Sequence, residues 1–329
     1  MAKDINNIRT ISDYFLNSLK SGELKELVDI VKKSNDLIIC FRDGYINIYY
    51  KSHSVFRIEE QKSQYKFTFD LGHARYTSDF DSVEAKLKKY GIRTIHSTSL
   101  NRKTNKTSHT YKAIFSVEKG ANYPFFSDVI KKFKAYIDDF FNEKLNYDFF
   151  KGEEISDKSD LLEKKRQQEI FLNHRKINET GESLLFYDME LSIPNQSQAE
   201  KKKGSPDCMA IRLCDGIFKE VVLVEVKSNK TACGGSNGIK KHFIDFNAII
   251  ENTNDKRNLY NAMQNALFYY KELGIYPPIN VPMYDSSVKF TIKYIFTDEA
   301  ITWIDNKKQK NQNYMYFSKI PNEQIEVLR

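Results

Sequence analysis

Residues 204–230 read GSPDCMAIRLCDGIFKEVVLVEVKSNK, and the fold of the chain's second half turns on how this stretch is read. Two strand-like runs, PDCMAIRL and EVVLVEVK, flank a turn at Cys214-Asp215-Gly216. Asp207 opens the first run; Glu225 and Lys227 close the second. Being two residues apart, Glu225 and Lys227 share one face of a strand. Val221, Val222, Leu223 and Val224 predict a strand buried on both faces, and Glu225 continues that run instead of following a turn. A carboxylate there carries a desolvation cost unless a cation or a donor offsets it. Two carboxylates and a lysine at the ends of neighbouring strands therefore form a candidate site for a hard metal ion. The competing reading is an ordinary antiparallel hairpin with polar ends.

Upstream of this stretch, residues 160–176 predict a helix on which Glu163, Gln167, Ile170, Phe171 and His174 share a face, while Leu162, Glu169 and Leu172 lie on another. SLLFYDMELSIP predicts a strand ended by Pro194, with Asp188 and Glu190 as further acidic neighbours. Downstream come a glycine-rich turn, TACGGSNGIKKH, and a segment running to about residue 250. A helix over 257–273 follows, carrying Leu259, Met263, Ala266, Leu267 and Tyr270 inward and closed by Gly274 and Pro277-Pro278. VKFTIKYIFTD is a further strand, and ITWIDNKK, NYMYFSKI and IEVLR are short terminal pieces. Helices around a small mixed sheet fit this order.

The first half has a different texture. Two short helices are expected within residues 9–33, then an antiparallel meander of about four strands whose first turn is Arg42-Asp43-Gly44. Residues 81–90 predict a helix ended by Gly91. TSLNRKTNKTSHTYK is polar and basic and reads as an exposed loop or a ragged strand, and residues 126–145 form an amphipathic helix. The acidic, polar stretch at 147–159, which contains Gly152, marks a domain boundary, giving domains 1–150 and 151–329.

The chain has 329 residues, 40% hydrophobic and 29% charged, which suits globular domains with real cores. No stretch approaches the roughly 18 apolar residues of a membrane span, and the first 30 residues lack a signal-peptide core, so a cytoplasmic protein is expected. Cys40, Cys208, Cys214 and Cys233 form no CxxC pair, which argues against structural zinc. A formal charge of +7 suits a polyanionic partner, although AT-rich coding also favours lysine. GGSNGIK lacks the Gly-Lys-Ser/Thr ending of a P-loop, and neither a nucleophile elbow nor a metal-spaced His pair is present.

A helix with Glu163, a strand, the Pro206-Asp207 strand, the Glu225-Val226-Lys227 strand, a helix with Gln264 and a last strand: over residues 160–300 this order resembles the PD-(D/E)XK nuclease superfamily, in a bacterial subfamily of unassigned role. The resemblance implies a C-terminal restriction-endonuclease-like mixed sheet flanked by helices and leaves the N-terminal half unexplained; with the α+β N-terminal domain and antiparallel meander read from the residues, the expected fold class is α+β / α/β. It implies a metal-dependent nuclease, most simply an endonuclease acting on DNA, with a restriction or phage-defence role. Asp207, Glu225 and the Val226 carbonyl would hold Mg²⁺ or Mn²⁺, with Lys227 and Glu163 as further catalytic residues and Glu169 as the alternative to Glu163. Glu163 is preferred because Gln167 sits one turn later on its face. Lys240, Lys241, His242 and Gln264 are nucleic-acid-binding candidates, as are Lys201, Lys202 and Lys203; each could equally be a solvated surface residue. A homodimer would suit cleavage of both strands. The alternatives are a nucleic-acid-binding or regulatory protein of the same fold without turnover, and a ribonuclease.

Overall fold

The computed structural model describes residues 9–72, 74, 82–101, 106–147, 156–178, 180–189, 205–228, 233, 238–306 and 312–328. The chain divides into two compact units, residues 9–154 and residues 155–329, with residues 1–8 grouped with the second. The predicted boundary stretch lies largely outside the described residues.

In the first unit, α1 (Asp13–Lys20) begins at Ser12, whose hydroxyl accepts the Phe15 N–H at 3.0 Å and so satisfies one donor of the first turn. After α2 (Lys25–Lys33), β1 (Ile38–Arg42), β2 (Tyr45–Tyr50), β3 (His53–Glu60) and β4 (Gln64–Asp70) form the expected meander. α3 (Val83–Lys88) follows, then β5 (Arg93–Asn101), β6 (Lys106–Glu118) and α4 (Phe126–Tyr147). All pairings are antiparallel, in the order β1-β2-β3-β4-β6-β5. Aromatic rings fill the core: Phe69 stacks on Phe133 at 4.0 Å and Phe67 on Phe115 at 4.5 Å.

The six-stranded sheet is larger than the four-stranded meander that the sequence predicts. β5 and the first part of β6 are polar at successive positions, so no period-2 apolar alternation announces them. Among the described residues of β5 and β6, only Ala113, Ile114, Phe115 and Val117, where β6 joins β4, are buried.

The second unit runs α5 (Ser156–Asn173), β7 (Glu182–Met189), β8 (Cys208–Cys214), β9 (Ile217–Lys227), α6 (Ile239–Glu251), α7 (Thr253–Glu272), β10 (Lys289–Thr297), α8 (Asp298–Asn306), α9 (Gln312–Phe317) and β11 (Ile325–Leu328). The five strands form a mixed sheet in the order β11-β10-β9-β8-β7. β7, β8 and β9 are antiparallel neighbours, whereas β9, β10 and β11 run parallel. The β8–β9 turn places Asp215 at φ 51° and Gly216 at φ 74°, the left-handed pair that a two-residue hairpin loop needs to match strand twist. β9 lies at the centre, and Glu220 to Ser228 are buried without interruption.

β7 is an edge strand whose outward groups are satisfied from outside the sheet. The Phe186 N–H donates to the His174 carbonyl, and the hydroxyls of Tyr276 and Tyr270 donate to the Phe186 and Tyr187 carbonyls at 2.6 and 3.0 Å.

Four elements form where the sequence pattern leaves the structure unassigned. The segment after the glycine turn is a helix, α6, burying Ile239, Phe246 and Ile249. It abuts α7 through Asn252, whose side chain caps α7 by accepting the Asn254 and Asp255 N–H groups. The terminal pieces are two helices and a fifth strand, too short for periodicity to resolve. Among the described residues, no helix is long and apolar enough to cross a membrane.

Candidate active site

The register of β8 on β9 pairs Cys208 with Val224, so Asp207 falls opposite Glu225 although 18 positions separate them in sequence. Alternation directs the Glu225 and Lys227 side chains to one face of β9 and that of Val226 to the other. Asp207 Oδ2 accepts the Val226 N–H at 2.8 Å. In a strand the N–H and C=O of one residue leave on the same side, so the Val226 carbonyl also faces the Asp207 side.

Glu225 is fully buried and Lys227 is 2% exposed. Lys227 Nζ donates to Glu225 Oε1 at 2.5 Å. His242, on the first turn of α6, brings Nδ1 to 3.2 Å from the same oxygen, near enough for charge attraction but not aligned as a hydrogen bond. The other oxygen, Oε2, is buried and has no hydrogen-bond partner among the described residues. A buried carboxylate oxygen left in this way is the strongest chemical feature of the unit.

The electrostatics follow from this crowding. Burial, reinforced by the Glu225 charge, pushes Asp207 well above the ordinary carboxylate range, against the pull of Lys227. Part of Asp207 reaches solvent, but protein packed around its carboxyl governs its protonation. Burial would also raise Glu225, yet Lys227 and then His242 outweigh it and hold the group below its usual value. Burial opposes a charged Lys227; Glu225, Asp207 and Glu163 prevail and keep its ammonium protonated. The resting cluster is thus a buried Glu225⁻–Lys227⁺ pair beside a carboxyl that tends to stay neutral.

Glu163 is half-buried on α5, close enough for its charge to act on both Asp207 and Lys227. One turn on, Gln167 is 4% exposed and its Oε1 has no partner. Glu169 instead faces outward, paired with Arg166 at 3.0 Å and Lys165 at 3.8 Å.

Of the proposed nucleic-acid contacts, only His242 stands against the carboxylates. Lys240 lies over the Tyr316 ring at 5.7 Å, and Lys241 pairs with Asp245 one turn along α6. Gln264 Nε2 donates to the Pro282 carbonyl at 3.3 Å, serving a loop rather than the cluster. His174 Nδ1 sits 2.7 Å from the Ile170 carbonyl, a helix-end contact. Asp188 is buried, with Oδ1 accepting the Met189 N–H. Lys201, Lys202, Lys203 and Glu190 lie outside the described residues.

Two neighbours of the cluster carry no motif signal. Tyr294 pairs in register with Glu225 across β9 and β10; burial and the Glu225 charge keep its phenol neutral, and its hydroxyl has no partner. Cys233 is buried, and that burial pushes its thiol up to about 12. Only the pairing register, which sequence does not display, brings Tyr294 to this place.

Beside the site, at the C-terminal ends of the parallel strands, a pocket of about 550 Å³ is lined by residues including Lys165, Arg166, Ser228, Thr297 and Glu299. Such ends are where open α/β sheets hold ligands. Among the described residues, no three His, Cys, Asp or Glu side chains converge as a ready-made metal cage.

In comparisons with protein-family models, curated proteins and solved structures, nothing matches this chain.

Proposed function

We propose that the C-terminal unit is a divalent-metal-dependent nuclease with a restriction-endonuclease-like fold, hydrolysing phosphodiester bonds of DNA. The observation that carries this reading is the buried Glu225 Oε2, without a hydrogen-bond partner among the described residues, beside the raised Asp207 carboxyl: two carboxyls held together in low dielectric with an acceptor oxygen left open. The order helix, three antiparallel strands, helices and a parallel strand supports it, being the order in which the PD-(D/E)XK resemblance places its motif.

The residues fit a hard cation. Asp207 and Glu225 offer carboxylate oxygens and the Val226 carbonyl a third, with water completing the oxygen set that Mg²⁺ or Mn²⁺ prefers. When bound, the ion supplies Lewis acidity toward the scissile phosphate and lowers the pKa of water. With an ion bound, Asp207 would hold it as a carboxylate and Glu225 Oε2 would gain a partner. Lys227, held as an ammonium, is charge support for the phosphate and not the proton acceptor. Glu163, approaching from α5, accepts a hydrogen bond from the attacking water and orients it.

The test incubates the full-length protein with linear, circular and single-stranded DNA and with RNA, with and without Mg²⁺. Metal-dependent loss of DNA is expected, with Asp207→Ala and Glu225→Ala at least about a hundredfold slower while their melting transitions persist. Retained cleavage in either folded variant removes the site assignment, and attack on RNA alone makes the enzyme a ribonuclease. One observation favours a second reading, a nucleic-acid-binding protein without turnover: Lys227 already occupies Glu225 Oε1. Binding with no cleavage under Mg²⁺ or Mn²⁺ selects that reading.

A further inference from the structure

The β5–β6 hairpin of the first unit extends beyond the sheet that anchors it. β4 pairs with β6 only as far as Asp70↔Lys112, whereas β5 and β6 continue together from His96↔Tyr111 to Asn101↔Lys106. Those rungs form a two-stranded ribbon of six residue pairs, about 20 Å long at strand rise. Successive strand residues face opposite sides, and Ile95, His96, Ser97 and Thr98 are all exposed, so this stretch of β5 meets solvent on both faces among the described residues. A two-stranded ribbon by itself is marginal in water, so strand pairing alone does not account for it.

Charge does. Residues 86–117 contain eight Lys and Arg, two His and no Asp or Glu, in a chain whose 44 acids and 51 bases are nearly balanced overall. The register sets Arg93, Ile95 and Ser97 on one face with Ile114, Lys112 and Thr110 opposite them. Arg93 and Lys112, both exposed, flank the root of the ribbon on that face, and Lys106 stands at its last described rung. Lys88 and Lys89, exposed at the end of α3, stand beside β5, which α3 packs against. The nearest carboxylate in register, Asp70 opposite Lys112, accepts the Gly72 N–H at 2.8 Å. On the other face, His96 and Tyr111 stack at 4.3 Å, stiffening the root.

From this geometry we propose that the ribbon docks in the major groove of duplex DNA. The B-form major groove, about 12 Å wide and 8.5 Å deep, admits a two-stranded β-ribbon; the A-form RNA major groove is too narrow and deep. Arg93 and Lys112 reach flanking phosphates, and Ser97 and Thr110, on the same face, offer short hydroxyls to groove edges. The reading stands apart from the cleavage chemistry.

The test uses the full-length protein without divalent cation and a fluorescent duplex of about 20 base pairs, titrated from 50 to 200 mM NaCl. Arg93→Gln combined with Lys112→Gln is expected to weaken binding roughly tenfold to sixtyfold near 0.1 M salt and to flatten the log–log salt slope by about 1.8, two phosphate contacts' worth. If that variant misfolds, Ser97→Glu, which sets a like charge in the groove face, is expected to weaken binding at least about tenfold. Unchanged affinity and slope in the folded variants overturn the proposal, as does equal or tighter binding of duplex RNA. Wild-type protein that binds through the ribbon but never cuts under Mg²⁺ removes only the nuclease reading; cleavage with ribbon-independent binding removes only this one.

Discussion

Glu225 is stable where it is because Lys227 is there, and the two must be judged together. Removing one partner of a buried ion pair strands the other charge, whereas removing both costs far less. Lys227→Met is therefore expected to destabilise the metal-free second unit by about 3 kcal/mol, and Glu225→Gln added to it to restore most of the loss. Urea unfolding without divalent cations checks this; equal losses in single and double variants would show that the pair does not act as a unit. A surface pair in the first unit behaves differently. Burial tends to raise Asp36, but donation from Lys134 Nζ at 2.6 Å and from Ser34 holds it below its ordinary value. A depressed acid contributes stability that is present above its unfolded value near 3.8 and is lost as pH falls through its folded value. Solvent reaches 45% of the Asp36 side chain, so Asp36→Asn is expected to cost only about 0.5 kcal/mol at pH 7, fading below pH 3.8. Chemical denaturation at the two pH values measures the difference.

Strands and helices show which parts of this architecture are legible in the sequence and which are not. The hairpin of β8 and β9 is written plainly: Asp-Gly between two β-rich runs demands the left-handed turn observed at Asp215 and Gly216. Glu225 and Lys227 are legible for the same reason, since two-residue spacing fixes a shared face and the valine run fixes burial. What alternation cannot convey is register between distant strands, so Tyr294 beside Glu225, and the turn of α6 that carries His242 to it, emerge only in three dimensions. The β5–β6 ribbon escapes for the opposite reason: with polar residues on both faces it has no period to read. Edge protection is likewise hidden. Tyr276 lies 90 residues beyond Phe186 with no motif linking the two, yet its hydroxyl closes the Phe186 carbonyl at 2.6 Å. Tyr276→Phe strands that buried acceptor and is expected to cost about 1–3 kcal/mol in urea unfolding. A variant as stable as wild type would mean that water serves the carbonyl equally well.

The two units each enclose what a domain needs to fold alone. Every strand of the six-stranded sheet, together with α1 to α4, lies within residues 9–154, and the rings that fill its core (Phe56, Phe67, Phe69, Phe115, Phe126 and Phe133) are all internal to it. A body of that size buries roughly two thirds of its unfolded surface, enough for independent stability. The second unit likewise keeps Glu163, Asp207, Glu225, Lys227 and His242 within one stretch, residues 155–329. Expressed separately, residues 9–154 are expected to give a single cooperative melting transition and to retain salt-dependent binding to duplex DNA, because the ribbon and its supporting sheet are both present. Residues 155–329 are expected to keep the proposed metal-dependent cleavage while losing affinity for long duplexes, since the basic ribbon proposed to gather phosphate charge is gone. Division of labour of this kind has a measurable signature: the isolated second unit should cut at saturating DNA with a rate near that of the full chain but require far more substrate to saturate. A fragment 9–154 with no cooperative transition, or a fragment 155–329 as DNA-avid as the full chain, would locate substrate capture in the second unit and leave the ribbon without that role.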